Sequence, residues 1–306
     1  NRTFVYIRGE YGESIRRMEV AVKEAYEAGI LGKDVLGTGW ECHVDVYSGS
    51  GAYICGEESA LLDSLEGKRG HPRLKPPFPA VVGLYGSPTV INNVETLATL
   101  PSIVDKGVDW FISTGVEKST GSRIMAVSGH VKRPGVFEIE MGKLTMRDLL
   151  FDICGGMREG REFKAVVPGG ASTVMLGPDE IDYTLDFEGV AKVGSALGSS
   201  AVMVMDDSTC IVHATLILMR FYAHESCGQC TPCREGCGWL EKILGRIEHG
   251  EGRLEDLDLL LTISNNMMGT TICPLSDAAA MPCNSFVSKF RDEFEYHVKN
   301  RACLVS

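Results

Sequence analysis

The sequence predicts an α/β region over residues 1–104, a small α+β region over 105–205 and a helical region over 206–306. Three observations support this prediction. Strand and helix patterns alternate in the first region, short strands surround one helix in the second, and long segments of helical periodicity fill the third. No internal repeat or low-complexity segment interrupts this order.

The first region has the layout of a βαβ unit. TFVYIRGEY predicts a strand, and ESIRRMEVAVKEAYEAG predicts an amphipathic helix that ends at Gly29. CHVDVYSGS alternates apolar and polar residues, which indicates a half-buried strand. A glycine-rich turn and a helix follow in SGSGAYICGEESALLDSLEGK, a layout that can bind phosphates. Gly49 and Gly51 do not form a G-x-G-x-x-G fingerprint, so the residues alone favour an ordinary tight turn.

In the second and third regions, turn residues and hydrophobic periodicity predict the strands and helices. SRIMAVSGHVKRPGVFEIEMG predicts a β-hairpin, and FKAVVPGGAS predicts a further strand and turn. Between them, Thr145 is the predicted N-cap of a helix, with Asp148 three residues later as in a capping box. Four helical segments are predicted beyond these: STCIVHATLILMRFYAHE, EGCGWLEKILGRIEHG, LEDLDLLLTISNNM and SDAAAMPCNSFVSKFRDEFEYHVKN.

Composition excludes several classes of protein. A net charge of −11 argues against a nucleic-acid partner, because phosphate binding needs a basic face. The 11 cysteines in 306 residues are too sparse for a disulfide scaffold, and their odd number leaves at least one outside any pairing. Asp206 and Asp207 interrupt the longest apolar stretch, so no membrane span is expected. We therefore expect a cytosolic chain with reduced thiols.

The most informative segment is ESCGQCTPCREGC, residues 225–237. Cys227, Cys230 and Cys233 form C-x2-C-x2-C, which suits a compact iron–sulfur cluster better than zinc, whose structural sites take two separated ligand pairs. Two cysteines are candidates for the fourth ligand of such a cluster. Cys237 completes a ferredoxin-like run, but the fourth cysteine of that run serves a second cluster, and no second triplet exists here. Cys273, in a loop before a proline, is therefore the predicted fourth ligand of one [4Fe–4S] cluster.

The other cysteines are predicted to be small buried apolar residues. This interpretation covers Cys42, Cys55, Cys154, Cys210, Cys237, Cys283 and Cys303.

The motifs together resemble one family. ESCGQCTPCREG followed by ICPLSDAAA, the long stretch GAYICGEESALLDSLEGKRGHPRLKPPFPA, and INNVETLA are similar to hallmark segments of the NADH-binding flavoprotein (F) subunit of respiratory complex I, over essentially the whole chain. The resemblance implies part of a Rossmann-like flavin domain, a β-grasp domain of the soluble-ligand-binding type, and a helical cluster domain. It implies hydride transfer from NADH to FMN, then single electrons to a [4Fe–4S] cluster and on towards quinone.

The resemblance also assigns site residues. Those implied to contact FMN or the nucleotide are Tyr53, Gly56, Glu57, Glu58, Phe78, Asn92, Asn93 and Thr96. Glu58 is placed beside the nicotinamide and is the implied catalytic residue. Without the resemblance, Glu57 and Glu58 would be expected only to complement a helix dipole, and Asn92 or Asn93 to cap a helix.

Partners follow from the resemblance too. The implied ones are a [2Fe–2S] thioredoxin-like subunit and a large multi-cluster subunit, in a complex peripheral to the inner face of the cell membrane. A basic run could face an acidic partner, although such runs are usually solvated; it consists of Lys68, Arg69, His71, Arg73 and Lys75.

Two alternatives stay open at this point. One is a diaphorase subunit of an NAD-linked hydrogenase or formate dehydrogenase, although those often carry further cluster motifs. The other is an electron-transfer or scaffold module that lacks a competent nucleotide site. The second arises because the family's glycine-rich flavin segment lies upstream of a strand like TFVYIRGEY, whereas this sequence starts at Asn1. We expect the flavin domain to be partial and the 306 residues alone to assemble the cluster without retaining FMN.

Overall fold

The computed structural model describes residues 1–305, which form two compact units, Asn1–Ile91 and a second unit that begins at Asn92. The first unit contains strands β1 (Arg2–Ile7) and β2 (His43–Ser48), which pair in parallel, with helix α1 (Gly12–Glu27) between them. Gly29 adopts a positive φ of 69° just beyond α1, as its predicted capping role requires.

The core of the first unit is built around helix α2 (Glu58–Leu65). A 3₁₀ turn, Tyr53–Gly56, precedes the helix, and a second, Leu84–Gly86, follows it along the chain. The buried apolar residues of this unit are Val35, Ile54, Cys55, Ala60, Leu62 and Leu84. Because α1 buries no side chain, α2 and its turns are the best-packed part of the unit.

The second unit opens with helices α3 (Val94–Lys106) and α4 (Val108–Ser113) and the short hairpin β3 (Gly115–Val116) and β4 (Ser119–Thr120). A four-stranded sheet follows, in the order β6-β5-β8-β7. Its strands are β5 (Ser122–Gly129), β6 (Gly135–Glu140), β7 (Phe163–Val167) and β8 (Ala201–Asp206). β5 and β6 form the predicted antiparallel hairpin, while β8 runs parallel to β5 and antiparallel to β7.

Strand β8 is a central strand that the sequence analysis did not predict. Its residues alternate between half-buried and buried, as a strand with one covered face should. The predicted capping box, in contrast, is present. Thr145 caps α5 (Met146–Asp148), with reciprocal bonds to Asp148, and the chain continues as a π-helical turn, Leu149–Ile153. Helix α6 (Phe187–Lys192) completes the elements around the sheet.

Asp206 ends β8 as a fully buried carboxylate. It accepts hydrogen bonds from Arg158 at 2.6 Å, His130 at 2.9 Å and the Ser208 hydroxyl at 2.5 Å. Burial raises its pKa, but the bonds from Ser208 and Arg158 outweigh this and lower the pKa to about 2. The buried Asp206 carboxylate therefore has its hydrogen bonds satisfied, and it holds the turns beside β8 in place.

Five helices form the end of the described chain: α7 (Ile211–Glu225), α8 (Thr231–Glu248), α9 (Glu255–Met267), α10 (Leu275–Lys289) and α11 (Arg291–Asn300). The last predicted segment is two helices rather than one, because Phe290 leaves helical geometry with φ −118° and ψ 33°. Helices α8 and α9 approach closely at Gly236, where an added Cβ would lie 2.5 Å from the Met267 sulfur. Within residues 1–305, no helix has the length and apolarity that a bilayer crossing requires.

Candidate functional site

Three of the predicted cluster ligands lie at the junction between α7 and α8. Cys227 lies two residues beyond the end of α7, Cys230 is the N-cap of α8, and Cys233 is buried in the first turn of α8. Gly228 makes the turn between them with φ 81°, a conformation that glycine adopts without strain. The Arg234 guanidinium donates to the Gly228 carbonyl at 2.7 Å and closes this turn.

Ser226 is a residue of this turn that the sequence analysis missed. Its hydroxyl lies 3.2 Å from the Cys233 sulfur and accepts a bond from the Gly228 amide at 3.3 Å. The pKa of Cys233 is lowered to about 7, first by a hydrogen bond from the Cys237 thiol and also by Ser226. Thiolate is the form that binds iron, so these bonds favour the ligand state of Cys233.

Cys273 reaches the same place from a distant loop. It lies between α9 and α10, beside Pro274, and its carbonyl accepts a bond from the Thr271 hydroxyl at 2.9 Å. Its pKa is raised first by burial and then by the nearby thiols of Cys227, Cys233 and Cys230. The Cys273 thiol therefore lies close enough to the three thiols of the triplet for their charges to act on it.

The spacing of these thiols fits a cluster better than a single metal ion. Tetrahedral zinc, with Zn–S bonds of about 2.3 Å, holds its sulfurs about 3.8 Å apart. No three of the four thiols lie within 4.8 Å of one another; the described residues contain one such tight group, and it is a different one. Cysteine thiolates are the donors that a [4Fe–4S] cluster takes, so the chemistry of this donor set fits such a cluster.

Cys237 lies one helical turn beyond Cys233 and is fully buried. Its pKa is raised by its bond to Cys233, by burial and by Cys283, so it remains a thiol that supports Cys233. Cys55, Cys154 and Cys283 are also buried, as predicted. The prediction of full burial is wrong for Cys42, Cys210 and Cys303, which are half-buried. All three lie at the ends of elements: Cys42 before β2, Cys210 at the start of α7 and Cys303 beyond α11.

The glycine-rich turn lies at the carboxyl ends of β1 and β2. There the Gly49 amide donates to the Ile7 carbonyl at 2.7 Å. An added Cβ on Gly9 would lie 2.3 Å from the Gly49 carbonyl oxygen, so the two strand ends meet too closely for a side chain. The glycines therefore make a tight junction at the sheet edge where α/β proteins commonly bind ligands.

The start of α2 does not offer a phosphate site. Glu57 is the N-cap, and its carboxylate accepts bonds from the amides of Ser59 and Ala60, each at 2.9 Å. Burial raises the pKa of Glu57, but bonds from Lys75, Ser59 and Ala60 lower it overall. The amides that would bind an anion are thus taken by the chain's own carboxylate.

Lys75 joins the two acidic residues. Its ammonium lies 2.8 Å from a Glu57 oxygen and 2.6 Å from a Glu58 oxygen. Burial lowers the pKa of Lys75, but the two carboxylates raise it overall. Glu57 is largely covered, whereas the Glu58 side chain is 41% exposed and remains accessible to a ligand.

Gly56 and two aromatic residues complete the part of the predicted site that lies in the first unit. Gly56 is exposed, and an added Cβ would meet nothing within 4 Å, so packing does not explain a glycine here. Tyr53, in the same 3₁₀ turn, is half-buried, and Phe78 is 57% exposed. An open backbone face with exposed aromatic surface suits a flat ring system.

Asn92, Asn93 and Thr96 belong to the second unit. Asn93 caps α3, and its side-chain oxygen accepts a bond from the Glu95 amide at 2.8 Å. Asn92 and Thr96 are exposed. The capping role expected from the residues alone is therefore present at Asn93, and the eight predicted contacts divide five and three between the units.

The basic run is largely neutralised within its own unit. Lys68 pairs with Glu66 at 2.7 Å, and Arg73 pairs with Asp63 at 2.5 Å and with Glu66 at 3.0 Å. The Arg73 amide also donates to the Ser59 hydroxyl at 2.8 Å, which fixes this loop against α2. These pairs hold the loop in place beside α2, and an acidic partner would have to displace them.

Three family descriptions match the chain in sequence order. Residues 1–102 match the Nuo51 FMN-binding domain, residues 123–193 the SLBB domain, and residues 213–297 the NADH-ubiquinone oxidoreductase-F iron-sulfur binding region.

Named relatives extend over nearly the whole chain. It is 53% identical to the NADH-quinone oxidoreductase F subunit of Mycobacterium bovis over 99% of its own length and 68% of the relative. The identity is 52% with the Streptomyces coelicolor F subunit, of which 67% is covered, and 50% with the F 2 subunit of Rhizobium meliloti, of which 71% is covered.

A solved structure has the same fold. An NAD+-reducing [NiFe]-hydrogenase in the H2-reduced state matches 97% of this chain with a TM-score of 0.85 and 33% identity. The chain spans about half the length of that hydrogenase chain, 49%.

Proposed function

The chain belongs to the family of NADH-quinone oxidoreductase F subunits, and we propose which of its residues bind the cluster, the flavin and the nucleotide during NADH oxidation. It is an NADH:quinone oxidoreductase subunit with an FMN-binding domain and a 4Fe-4S region. FMN, when bound, accepts a two-electron hydride and releases electrons singly, and the cluster accepts them one at a time.

The residues proposed to hold the cluster are Cys227, Cys230, Cys233 and Cys273. The observation that carries this proposal is the position of the Cys273 loop, which follows the end of α9 where Met267 packs against Gly236 of α8, one helical turn beyond Cys233. Cys237 keeps its place in the core and supports Cys233 by a hydrogen bond. Replacement of Cys273 by alanine, with measurement of the cluster, tests this proposal.

The proposed ring site is the surface of Gly56 with Tyr53 and Glu58. Gly56 leaves the backbone open to a flat ring, while Phe78 offers exposed aromatic surface to the nucleotide. Glu58 would lie beside the nicotinamide, with Lys75 fixing its position from one side. Asn92, Asn93 and Thr96 are the proposed contacts to the flavin ribityl and phosphate groups.

A charge substitution at Glu58 tests its assignment. The nicotinamide ring is positive in NAD+ and neutral in NADH, so a nearby carboxylate favours the oxidised form. Glu58→Gln should weaken NAD+ binding relative to NADH by about 5-fold, because an exposed charge pair contributes about 1 kcal/mol at most. Inhibition constants for NAD+ and Michaelis constants for NADH give the ratio.

The matched control is Glu13→Gln. Glu13 is also an exposed carboxylate paired with basic side chains, Arg16 and Arg17, but it lies on α1. An unchanged NAD+/NADH ratio in Glu58→Gln, equal to that of Glu13→Gln, would leave Glu58 with only its helix-start role.

The finer architecture is also a proposal. We assign residues 1–104 to a Rossmann-like flavin domain, 105–205 to a β-grasp domain and 206–306 to a helical cluster domain. The mixed sheet around α5 and the SLBB match over 123–193 support the second assignment. The parallel β1–β2 pair linked by α1 supports the first.

We propose that the [2Fe–2S] thioredoxin-like subunit and the large multi-cluster subunit dock on the 206–306 region, in a complex on the inner face of the membrane. Electrons need a short path from the cluster, and its proposed ligands lie in this region. Crosslinking of the native complex should join these partners to residues 206–306. Crosslinks confined to residues 1–40 would exclude this arrangement.

The alternatives are less well supported. The hydrogenase likeness has 33% identity, whereas the NADH-quinone oxidoreductase relatives reach 53%, so a diaphorase role is not favoured. The match to an FMN-binding domain over 1–102 argues against a scaffold module without a nucleotide site.

A further inference from the structure

A second group of metal-binding side chains lies apart from the proposed cluster ligands. The sulfurs of Cys210 and Cys303 and a ring nitrogen of His297 all lie within 4.8 Å of one another. Cys210 is the N-cap of α7, His297 lies in the last turn of α11, and Cys303 follows that helix. Three donors from three parts of the chain therefore meet at one point.

We propose that Cys210, His297 and Cys303 form a binding site for one Zn²⁺ ion. Zinc prefers tetrahedral sulfur and nitrogen ligands, with Zn–S near 2.3 Å and Zn–N near 2.0 Å, so its ligand atoms lie about 3.5 to 3.8 Å apart. The Cys210 sulfur and His297 Nε2 are 3.3 Å apart, already close to that spacing. The half-buried cysteines leave room for water as the fourth ligand.

The groups around the three donors also suit a metal. The backbone amide of His213 donates to the Cys210 sulfur at 3.3 Å and so fixes the position of that donor at the start of α7. His297 is buried and presents Nε2 to the thiols. Its other nitrogen, Nδ1, lies 4.0 Å from a Glu248 oxygen.

Glu248 supplies an independent sign of a bound ion. Among the described residues, its Oε2 atom is buried without a hydrogen-bond partner, while Oε1 lies 2.8 Å from Nδ1 of His213. Metal-bound histidines usually donate their second nitrogen to a carboxylate, which fixes the ring and strengthens the ligand. A small shift of the His297 ring on metal binding would give Oε2 its missing bond.

A zinc ion here would fasten the start of α7 to the end of α11. The same helices already meet through Glu293, which accepts from the Ile211 amide at 2.7 Å and pairs with Lys164 at 2.7 Å. A Cys210–Cys303 disulfide would use only the two sulfurs and leave the buried imidazole without a role. The three-donor geometry therefore favours zinc.

The test uses the protein with its iron–sulfur cluster assembled, freed of loose metal by chelation and then supplied with Zn²⁺ alone. We expect about one zinc per chain, unchanged iron content, and a zinc X-ray absorption spectrum with two sulfur neighbours and at least one nitrogen. Cys303→Ser and Cys210→Ser should lose the zinc. Glu248→Gln should bind it about 10- to 100-fold more weakly.

Cys42→Ser is the matched control, because Cys42 is another half-buried cysteine but lies in the other unit. It should bind zinc as the unaltered protein does. Because Cys303 is half-buried and lies beyond the last helix, Cys303→Ser should fold normally, and loss of zinc from this variant would not be due to misfolding. Equal zinc content in Cys303→Ser and Cys42→Ser, a four-sulfur zinc shell, or a Cys210–Cys303 disulfide in the purified protein would each overturn the proposal.

Discussion

Replacing Cys273 with alanine should remove the [4Fe–4S] cluster, whereas replacing Cys237 should leave it in place. Cys273 comes from a loop that converges on Cys227, Cys230 and Cys233, and its thiol is influenced by all three. Without a fourth thiolate the cluster has one incompletely ligated iron and is lost or degraded. Electron transfer from NADH to the partner subunits should then fall to background, while the helices stay folded.

Cys237→Ala is the matched control for this substitution. Cys237 is fully buried, so the alanine variant should lose roughly 1 to 2 kcal/mol of stability to a small cavity. Iron and sulfide content and the reduced-state electron paramagnetic resonance signal should nevertheless persist. If Cys237→Ala destroys the signal and Cys273→Ala spares it, the proposed ligand set is wrong.

Gly56→Val should block flavin binding without unfolding the protein. An added Cβ at Gly56 meets nothing within 4 Å, and the residue does not have a positive φ, so the fold tolerates a side chain. The same side chain would occupy the surface proposed for the flat ring. In a preparation of the protein that carries FMN, we expect flavin content to drop and NADH–ferricyanide turnover to fall about 100-fold, the scale of effect that misplacement of reacting groups produces.

Gly12→Val separates a local effect from a general one. Gly12 likewise meets nothing within 4 Å of an added Cβ and lies in the same unit, at the start of α1. Both variants should unfold within about 0.5 kcal/mol of the unaltered protein, as surface substitutions do. Full flavin content and turnover in Gly56→Val would exclude this surface as the ring site.

The sequence predicted those features that depend on neighbouring residues. The capping box of Thr145 and Asp148 spans three positions, and the hairpin of β5 and β6 follows from its turn residues, so both could be recognised. Strand β8 could not, because its short alternating run merges with the apolar start of α7. A period of two over six residues is a weak signal beside a long helix.

Contacts between distant segments could not be predicted from local sequence patterns. Lys75 reaches Glu57 across 18 positions, and no local rule indicates that this bridge forms. The contact between Cys210 and His297 spans 87 positions, so Cys210 was predicted to be an ordinary core residue. The assignment of Cys273 also joins distant segments, and it stays a prediction that rests on the need of the triplet for a fourth thiolate.

Electrons from NADH should reach a cluster held by this chain, and anaerobic electron paramagnetic resonance of an FMN-containing preparation tests this most directly. One sample is reduced with NADH and another with dithionite. We predict the same reduced [4Fe–4S] signal in both, with about four irons per chain. A signal that appears with dithionite but not with NADH, despite bound FMN, would contradict the account, as would the absence of any cluster signal.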